Sequence, residues 1–350
     1  MKVREASFDD YAPITALGQK YGLKARTPDE WLHLWVNNPE YRSRPGWPIG
    51  WVLENNKGEL VGAICNIPLR YEFKGQTLIT ATGRCWVTEA EYRGYAILLL
   101  DEYFNQPNVD LFLNTTVNQH AMEAYKSFDS PRVPKGSWDR SAFWITNYAG
   151  FAKSALAARK STPLLTYPLA ASLLMKDCLT HCGIRPEVRV SVEQGFDERF
   201  DVFWSELREK KFDILIGVRT REVLDWHFRY PLQSRQLYIL TASNRDRLIA
   251  YAIFYRKDKE EYGLKRVRLV DYQSLDDNPA TLASMLACIL STCRKERIHM
   301  LEDVGCCLQG VAAPHRRELP SWLFYYKAKE QQLAAAAAWQ PSLFDGDSSL

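Results

Sequence analysis

One order of elements occurs twice along this chain: a helix bearing Trp, a strand hairpin, a long strand, a helix and a further strand. No other feature narrows the fold as far. In the first half, Asp9 and Asp10 precede a helical stretch over 11–21 that Gly22 closes. Thr27-Pro28-Asp29-Glu30 then supplies an N-cap residue, Pro at the first helical position and acids in the first turn. The helix it opens carries Trp31, Leu34 and Trp35 on one face and stops before Pro39. Strands are expected at 50–54, 60–68 and 78–87, separated by turns at Asn56-Lys57-Gly58 and Lys74-Gly75. A helix over 96–105, a strand over 109–114 and a helix over 118–128 follow. Alternation of strand and helix after the long strand implies a parallel strand pair with a crossover helix.

Residues from about 150 to 190 read as a bridge of Ala-rich helical segments broken by Pro163 and Pro168. The first order then returns. Leu224-Asp225-Trp226 with Pro231 echoes Leu34-Trp35 with Pro39. Strands at 237–241 and 248–255 around Ser243-Asn244-Arg245-Asp246 echo the first hairpin, and 267–272, 280–292 and 299–304 repeat the strand, helix and strand. Trp35 to Val61 spans 26 positions and Trp226 to Ile249 spans 23, so the repeat is one of architecture, with little residue identity behind it. A chain of 350 residues accommodates two domains of about 150 residues each. The expected division is a first unit over 1–150, a bridge over 151–189 and a second, degenerate unit over 190–350. The fold class is α/β in the mixed α+β sense, with each unit a twisted mixed sheet flanked by helices.

Composition removes several classes. Lys and Arg total 45 against 42 Asp and Glu, a net +3 that is too balanced to announce a nucleic-acid protein. No apolar run is long enough to span a membrane, and MKVREASFDDY lacks the apolar core of a signal peptide, so a cytoplasmic protein with reduced thiols is expected. Cys178-x-x-His181-Cys182 has the spacing of half a metal site, but no second half is evident, and no metal is expected. Aromatic residues reach 13%, which invites thoughts of base or sugar stacking. Doubling an aromatic-rich unit, with Trp35 matching Trp226 and Tyr71 matching Tyr255, accounts for much of it as packing. Trp322, Phe324, Tyr325, Tyr326 and Trp339 are left over as a candidate substrate or partner surface.

Two segments carry chemistry. In Trp86-Val87-Thr88-Glu89-Ala90-Glu91-Tyr92-Arg93-Gly94-Tyr95-Ala96 a strand turns into a helix. Backbone N–H groups, the positive end of a helix dipole and the Arg93 cation there suit a pyrophosphate. In the second segment a strand ends at Asn118, which caps a helix carrying Ala121 and Tyr125; at spacings of three, four and seven these share a helical face.

With these segments the sequence resembles the GNAT superfamily of N-acetyltransferases. Asn118, Ala121 and Tyr125 match the family's later helix. Gly94-Tyr95-Ala96 matches the Gly-x-Gly/Ala end of its pyrophosphate loop, while Glu91 stands where the family prefers Gln or Arg. The Trp-bearing helix ending at Asn37-Asn38-Pro39, the degenerate second unit and the tail Trp339-Gln340-Pro341-Ser342-Leu343-Phe344-Asp345-Gly346-Asp347 resemble tandem members of that superfamily, which often accompany bacterial polysaccharide and modified-sugar genes. The resemblance implies an acyl-CoA-dependent N-acyltransferase that uses acetyl-CoA or another acyl-CoA, with an acyl carrier protein as the alternative carrier. The acceptor would be a small-molecule amine such as an amino sugar. The donor would contact Val87, Arg93, Gly94, Tyr95 and Ala96. Backbone N–H groups around Cys85 to Val87 would stabilise the oxyanion, Tyr125 would protonate the thiolate, and Glu89 would be the base, with Asn118 completing the catalytic set. His120 is a less suited base, and Cys85 reads as a buried thiol because no His or Asp partner is arranged for it.

The equivalent loop in the second half, Ser274-Leu275-Asp276-Asp277-Asn278-Pro279, is acidic and should repel a pyrophosphate. Its neighbours Asp271, Glu302 and Asp303 are then candidates for acceptor recognition or a general base. The Asp-Gly-Asp tail reads either as a turn or as a polar loop at the cleft rim. Two other classes compete with the transferase. One is a binding module without turnover. The other is an acyl or aminoacyl transferase acting on nucleic acid, motivated by Lys265-Arg266-Val267-Arg268, Arg294-Lys295-Glu296-Arg297 and Arg316-Arg317; it is not favoured, since such clusters usually make a solvated face.

Overall fold

The computed structural model describes all residues except 134–139, 181–183, 185, 277, 306–312, 319–322, 330–338 and 340. The first half runs β1 (Lys2–Glu5), α1 (Tyr11–Lys20), α2 (Pro28–Val36), α3 (Pro39–Arg42), β2 (Gly50–Glu54), β3 (Leu60–Phe73), β4 (Gln76–Thr88), α4 (Ala96–Phe104), β5 (Leu111–Val117), α5 (Met122–Ser127) and β6 (Arg140–Ile145). A helical pair, α6 (Tyr148–Ala158) and α7 (Thr166–Thr180), follows. The second half runs β7 (Val190–Glu193), α8 (Glu198–Lys210), β8 (Ile216–Gly217), α9 (Arg221–Gln233), β9 (Leu237–Asn244), β10 (Arg247–Arg256), β11 (Arg266–Ser274), α10 (Pro279–Lys295), β12 (Met300–Val304), β13 (His315–Glu318) and β14 (Leu323–Ala328).

Local signals explain most of these elements. Thr27 and Glu30 form a reciprocal capping box at the start of α2 (Glu30 N to Thr27 Oγ1, 3.2 Å; Thr27 N to Glu30 Oε2, 2.9 Å). Two prolines behave differently from expectation. Pro168 lies in the first turn of α7, where a missing N–H leaves no bond unmade, and Pro231 lies inside α9 near its C-terminal end.

Among the described residues the strands form two mixed sheets. The first has the order β1-β2-β3-β4-β5-β14 with β8 paired to β3, and the second has β13-β6-β12-β11-β10-β9-β7. Each contains one parallel pair bridged by a crossover helix, β4 with β5 through α4 and β11 with β12 through α10, as the alternation requires. The sheets do not follow the expected division at 150 and 190. β6 lies in the second sheet, antiparallel to β12 and β13, whereas β14 and β8 from the second half join the first. Each half thus supplies at least one strand to the other's sheet. The reason is that hydrophobic alternation specifies which face of a strand is buried but not which neighbour hydrogen-bonds to its edge.

Four apolar clusters fill the layers. One binds α1 and α2 to the first sheet around Trp31, Trp35, Tyr71 and Phe73, and it also takes in Trp226 of α9. There the units interlock: Trp226 Nε1 donates to the His33 carbonyl (3.0 Å) and His33 Nε2 meets the Trp226 carbonyl (2.8 Å). Phe324, Tyr325, Tyr326 and Trp339 are buried, Tyr325 completely. Those residues are core, not the substrate or partner surface expected of them; Trp322 lies outside the described residues. Among the described residues no helix is long and apolar enough to cross a membrane.

Candidate active site

The centre of the site is set by a parallel pair that stops pairing. β4 and β5 are in register from Thr80 opposite Leu111 to Thr82 opposite Leu113, and there the ladder ends. Immediately beyond, β4 shifts register against β3, from Cys65 opposite Arg84 to Ala63 opposite Val87, so that one extra residue is inserted in β4. Cys85 takes φ 55°, a left-handed conformation that bulges the strand. This is where oxyanion-binding backbone was expected. Asn114 spans the mouth of the splay and accepts from Gly83 N at 3.2 Å. The second sheet repeats the device: β11 leaves β12 after Leu269 opposite Asp303, and one extra residue, Val270, bulges it against β10.

Tyr125 on α5 reaches this splay. Its ring is wedged among Trp86, Phe104 and Tyr325, and its hydroxyl lies 3.5 Å from Asn114 Oδ1. Burial, then the Asp347 carboxylate, pushes its pKa up, so the phenol keeps its proton. Asn118 is exposed, and its side chain accepts from Ala121 N at 3.0 Å as an N-cap. It therefore positions the start of the helical segment, and it does not share the buried face of Ala121 and Tyr125. His120 is exposed as well.

The expected donor loop runs over the end of β4. Val87 is buried, and Ala96 begins α4, docked by Trp86 Nε1 donating to its carbonyl at 3.2 Å. Arg93, Gly94 and Tyr95 are exposed, and a methyl added to Gly94 would meet open space. Glu89 does not suit the role of base. Lys20 (2.7 Å) and the Tyr21 hydroxyl (2.9 Å) both donate to it and hold its pKa below the usual carboxylate range. It pins α1 to the end of β4.

The carboxylate that reaches the splay comes from the tail. Asp347 accepts from Thr115 Oγ1 (3.0 Å), Thr116 Oγ1 (2.8 Å) and Arg84 Nη1 (3.3 Å). Asp345 accepts from the Tyr71 hydroxyl at 2.8 Å, and Phe344 N donates to the bulged Val270 carbonyl at 3.2 Å. The Asp-Gly-Asp segment is therefore a turn and not a rim loop; it is buried and threads both splays. Gly346 between the two acids has φ 61°, and an added Cβ would come within 2.6 Å of Thr115 Cγ2. Gly346→Ala is expected to unseat the tail, lowering the melting temperature and exposing residues after 341 to limited proteolysis. An unchanged digestion pattern would refute that placement.

Two of the second unit's candidate acids are held by arginines. Asp271 is fully buried between Arg219 (2.8 Å) and the Tyr251 hydroxyl (2.8 Å). Glu302 is held by Arg266 (3.0 Å), Arg268 (2.7 Å) and Arg317, and these cations bring its pKa down to about 2 against the opposing pull of burial. Neither suits acceptor recognition or base catalysis. The same pairings take three arginines out of the basic clusters seen in the sequence. In the loop after β11, Ser274 Oγ donates to Asp276 (2.7 Å) and Asn278 caps α10; Asp277 lies outside the described residues.

Cys85 is half-buried beside Cys65. Interaction with the Cys65 thiol, then with Arg84 and Arg26, lowers the pKa of Cys85 to about 7, while Cys85 and burial raise that of Cys65. Cys178 is exposed; His181 and Cys182 lie outside the described residues, and among the described residues no group of metal ligands is found. A separate small crevice, lined by Asn38, Arg70, Trp226 and His227 among others, shares no residue with the first splay.

No protein-family model and no curated protein matches this sequence. Solved structures match it in fold. A GCN5-related N-acetyltransferase from Anabaena variabilis is 12% identical with a TM-score of 0.56, covering 94% of this chain and 73% of its own. A conserved protein of unknown function from Enterococcus faecalis, described as a probable N-acyltransferase, is 11% identical with a TM-score of 0.57 over 95% and 73%. Saccharomyces cerevisiae N-myristoyltransferase with bound myristoyl-CoA is 12% identical with a TM-score of 0.55 over 94% and 83%. At these identities the likeness is one of fold, and the fold is that of the GNAT N-acetyltransferases.

Proposed function

We propose that the chain is an acyl-CoA-dependent N-acyltransferase whose reaction centre is the β4–β5 splay of the first unit. The observation that carries this reading is the coincidence at one place of the end of the parallel ladder, the β4 bulge at Cys85 and the protonated Tyr125 hydroxyl. Acyl transfer from a thioester to an amine needs a polarised carbonyl and a proton for the departing thiolate. Bulged backbone suits the first need and Tyr125 the second. The donor pyrophosphate would lie on the turn at Arg93, Gly94 and Tyr95 and the start of α4 at Ala96, with the pantetheine arm passing Val87. Asn118 acts by capping the helical segment that carries Tyr125, and Glu89 is not proposed as the base. The acyl group is acetyl or longer, and the acceptor is the amine of a small molecule such as an amino sugar.

A binding module without turnover is the second reading. It is favoured by Asp347 occupying the splay and by Glu91 in the donor turn. Calorimetric titration with acetyl-CoA and with longer acyl-CoAs tests the donor directly. Binding is expected at micromolar concentrations, and no heat up to about 1 mM of either would sink the CoA-dependent reading.

A further inference from the structure

The helical pair α6 and α7 carries apolar surface that the rest of the chain does not cover. α7 turns only a narrow face inward. Ala170 and Asp177, seven positions apart, are buried there. Asp177 anchors the helix, accepting from the Tyr148 hydroxyl of α6 at 2.8 Å and lying 2.9 Å from His315 Nε2. The outer face is apolar as well. Leu164, Leu179 and Tyr167 are 86%, 80% and 78% exposed, and Met175, Leu165 and Leu174 are about half-exposed or more. Spacings of seven, eight and four residues put Tyr167, Leu174, Met175 and Leu179 on one arc of α7, and the turn bearing Leu164 and Leu165 leads into it. Together these six residues expose roughly 700 Å², more than the about 300–600 Å² of the largest apolar patch on a typical soluble monomer.

The charges of the pair are one-sided too. From Thr146 to Thr180 the sequence has Lys153, Arg159, Lys160 and Lys176 against a single acid, the buried anchor Asp177. All four cations are exposed; Arg159 and Lys160 lie in the connection just before Leu164, and Lys176 follows Met175. The turn bearing Glu260 and Glu261 packs on α6 at Ser154, whose hydroxyl donates to the Gly263 carbonyl at 3.1 Å, on a different face from Tyr148. An apolar arc rimmed by cations fits the interface of an anionic bilayer, where leucines enter the acyl boundary and basic side chains meet the headgroups. A second copy of this chain would bring the same cations and no exposed acid against them. A specific protein interface carries about one hydrogen bond per 100–200 Å², and the arc offers little beyond the Tyr167 hydroxyl and Ser172.

We infer that the outer arc of α7 docks the protein on an anionic lipid surface, with Leu164, Tyr167, Leu174, Met175 and Leu179 at the headgroup–acyl boundary and the flanking cations on lipid phosphates. The helix lies on the membrane and does not cross it, because its 15 residues make only about 22 Å against about 30 Å of hydrocarbon. This docking does not depend on the acyl-transfer reading.

The test is co-sedimentation of the full chain with vesicles of phosphatidylglycerol and phosphatidylcholine in equal parts, and with pure phosphatidylcholine, in about 0.1 M salt. Half-saturation is expected below about 1 mM of the anionic vesicles, with binding to the neutral ones about tenfold weaker or more. Leu164→Glu combined with Leu179→Glu should weaken binding about a hundredfold by removing apolar burial. Arg159→Gln combined with Lys160→Gln should weaken it about tenfold. Val202→Glu, an acid placed on the exposed side of α8, should bind as the wild type does. All the replaced side chains are exposed, so each variant should melt within about two degrees of the wild type, which separates lost docking from lost folding. No sedimentation up to about 2 mM lipid, equal binding to neutral vesicles, or undiminished binding by the leucine double variant overturns the inference. So does a dimer in sedimentation equilibrium that the leucine double variant dissolves, since that assigns the arc to a second copy.

Discussion

Replacing Tyr125 by Phe lowers turnover about a hundredfold or more and leaves acyl-CoA affinity nearly unchanged, as expected when a general acid is removed. The hydroxyl lies 3.5 Å from Asn114 Oδ1, too long for a strong hydrogen bond, so its loss costs little stability. The ring contacts with Trp86, Phe104 and Tyr325 survive the substitution. Because burial raises the phenol's pKa, the proton is in place throughout the neutral range, and Tyr125 contributes no limb to the pH profile there. The measurement is thiol released from an acyl-CoA in the presence of an accepted amine, set against calorimetric donor affinity. Unchanged turnover removes Tyr125 from the mechanism; a parallel fall in donor affinity assigns it to binding.

Arg219→Leu destabilises the protein by about 3–5 kcal/mol, the range found when one partner of a buried ion pair is deleted. Arg219 and Asp271 are 3% and 0% exposed, so the stranded carboxylate has no access to solvent. The guanidinium also donates to the Gly217 carbonyl at 2.6 Å and stacks 4.5 Å from the Phe344 ring, so the tail loosens with it. Denaturant unfolding should show the loss. The double variant Arg219→Leu with Asp271→Leu should recover much of it, because no charge is then left buried alone. Failure of the second substitution to restore stability would show that the tail contacts, not the ion pair, dominate.

The local frame of the candidate site was legible in the sequence. Gly94, Ala96 and Tyr125 stand where a strand-turn-helix pattern places them, and that pattern is written within a few dozen residues. Asn118 was recognisable as a cap, because capping is a local act of one side chain on the N–H three residues later. Glu89 misled because strand-end position says nothing about partners; Lys20 and Tyr21, nearly seventy positions away, neutralise it. Asp271 and Glu302 misled in the same way, since their arginines arrive from other strands and loops. The leftover aromatics near the end of the chain had no visible burial site because β14 pairs with β5, about two hundred positions earlier.

By itself, then, the sequence determined the two successions of helix, hairpin, long strand, crossover helix and strand, together with the caps and turns that bound them. These depend on periodicity and on side chains acting within a turn or two of the backbone. The tertiary structure alone decided that β6 and β14 change sheets, that the tail threads both splays, and that Arg84 meets Asp347 from the far end of the chain. Those outcomes depend on the pairing of edges and the meeting of charges between residues far apart in sequence. A pattern of alternating burial is compatible with many such pairings, and packing and electrostatics select among them only once the whole chain is assembled.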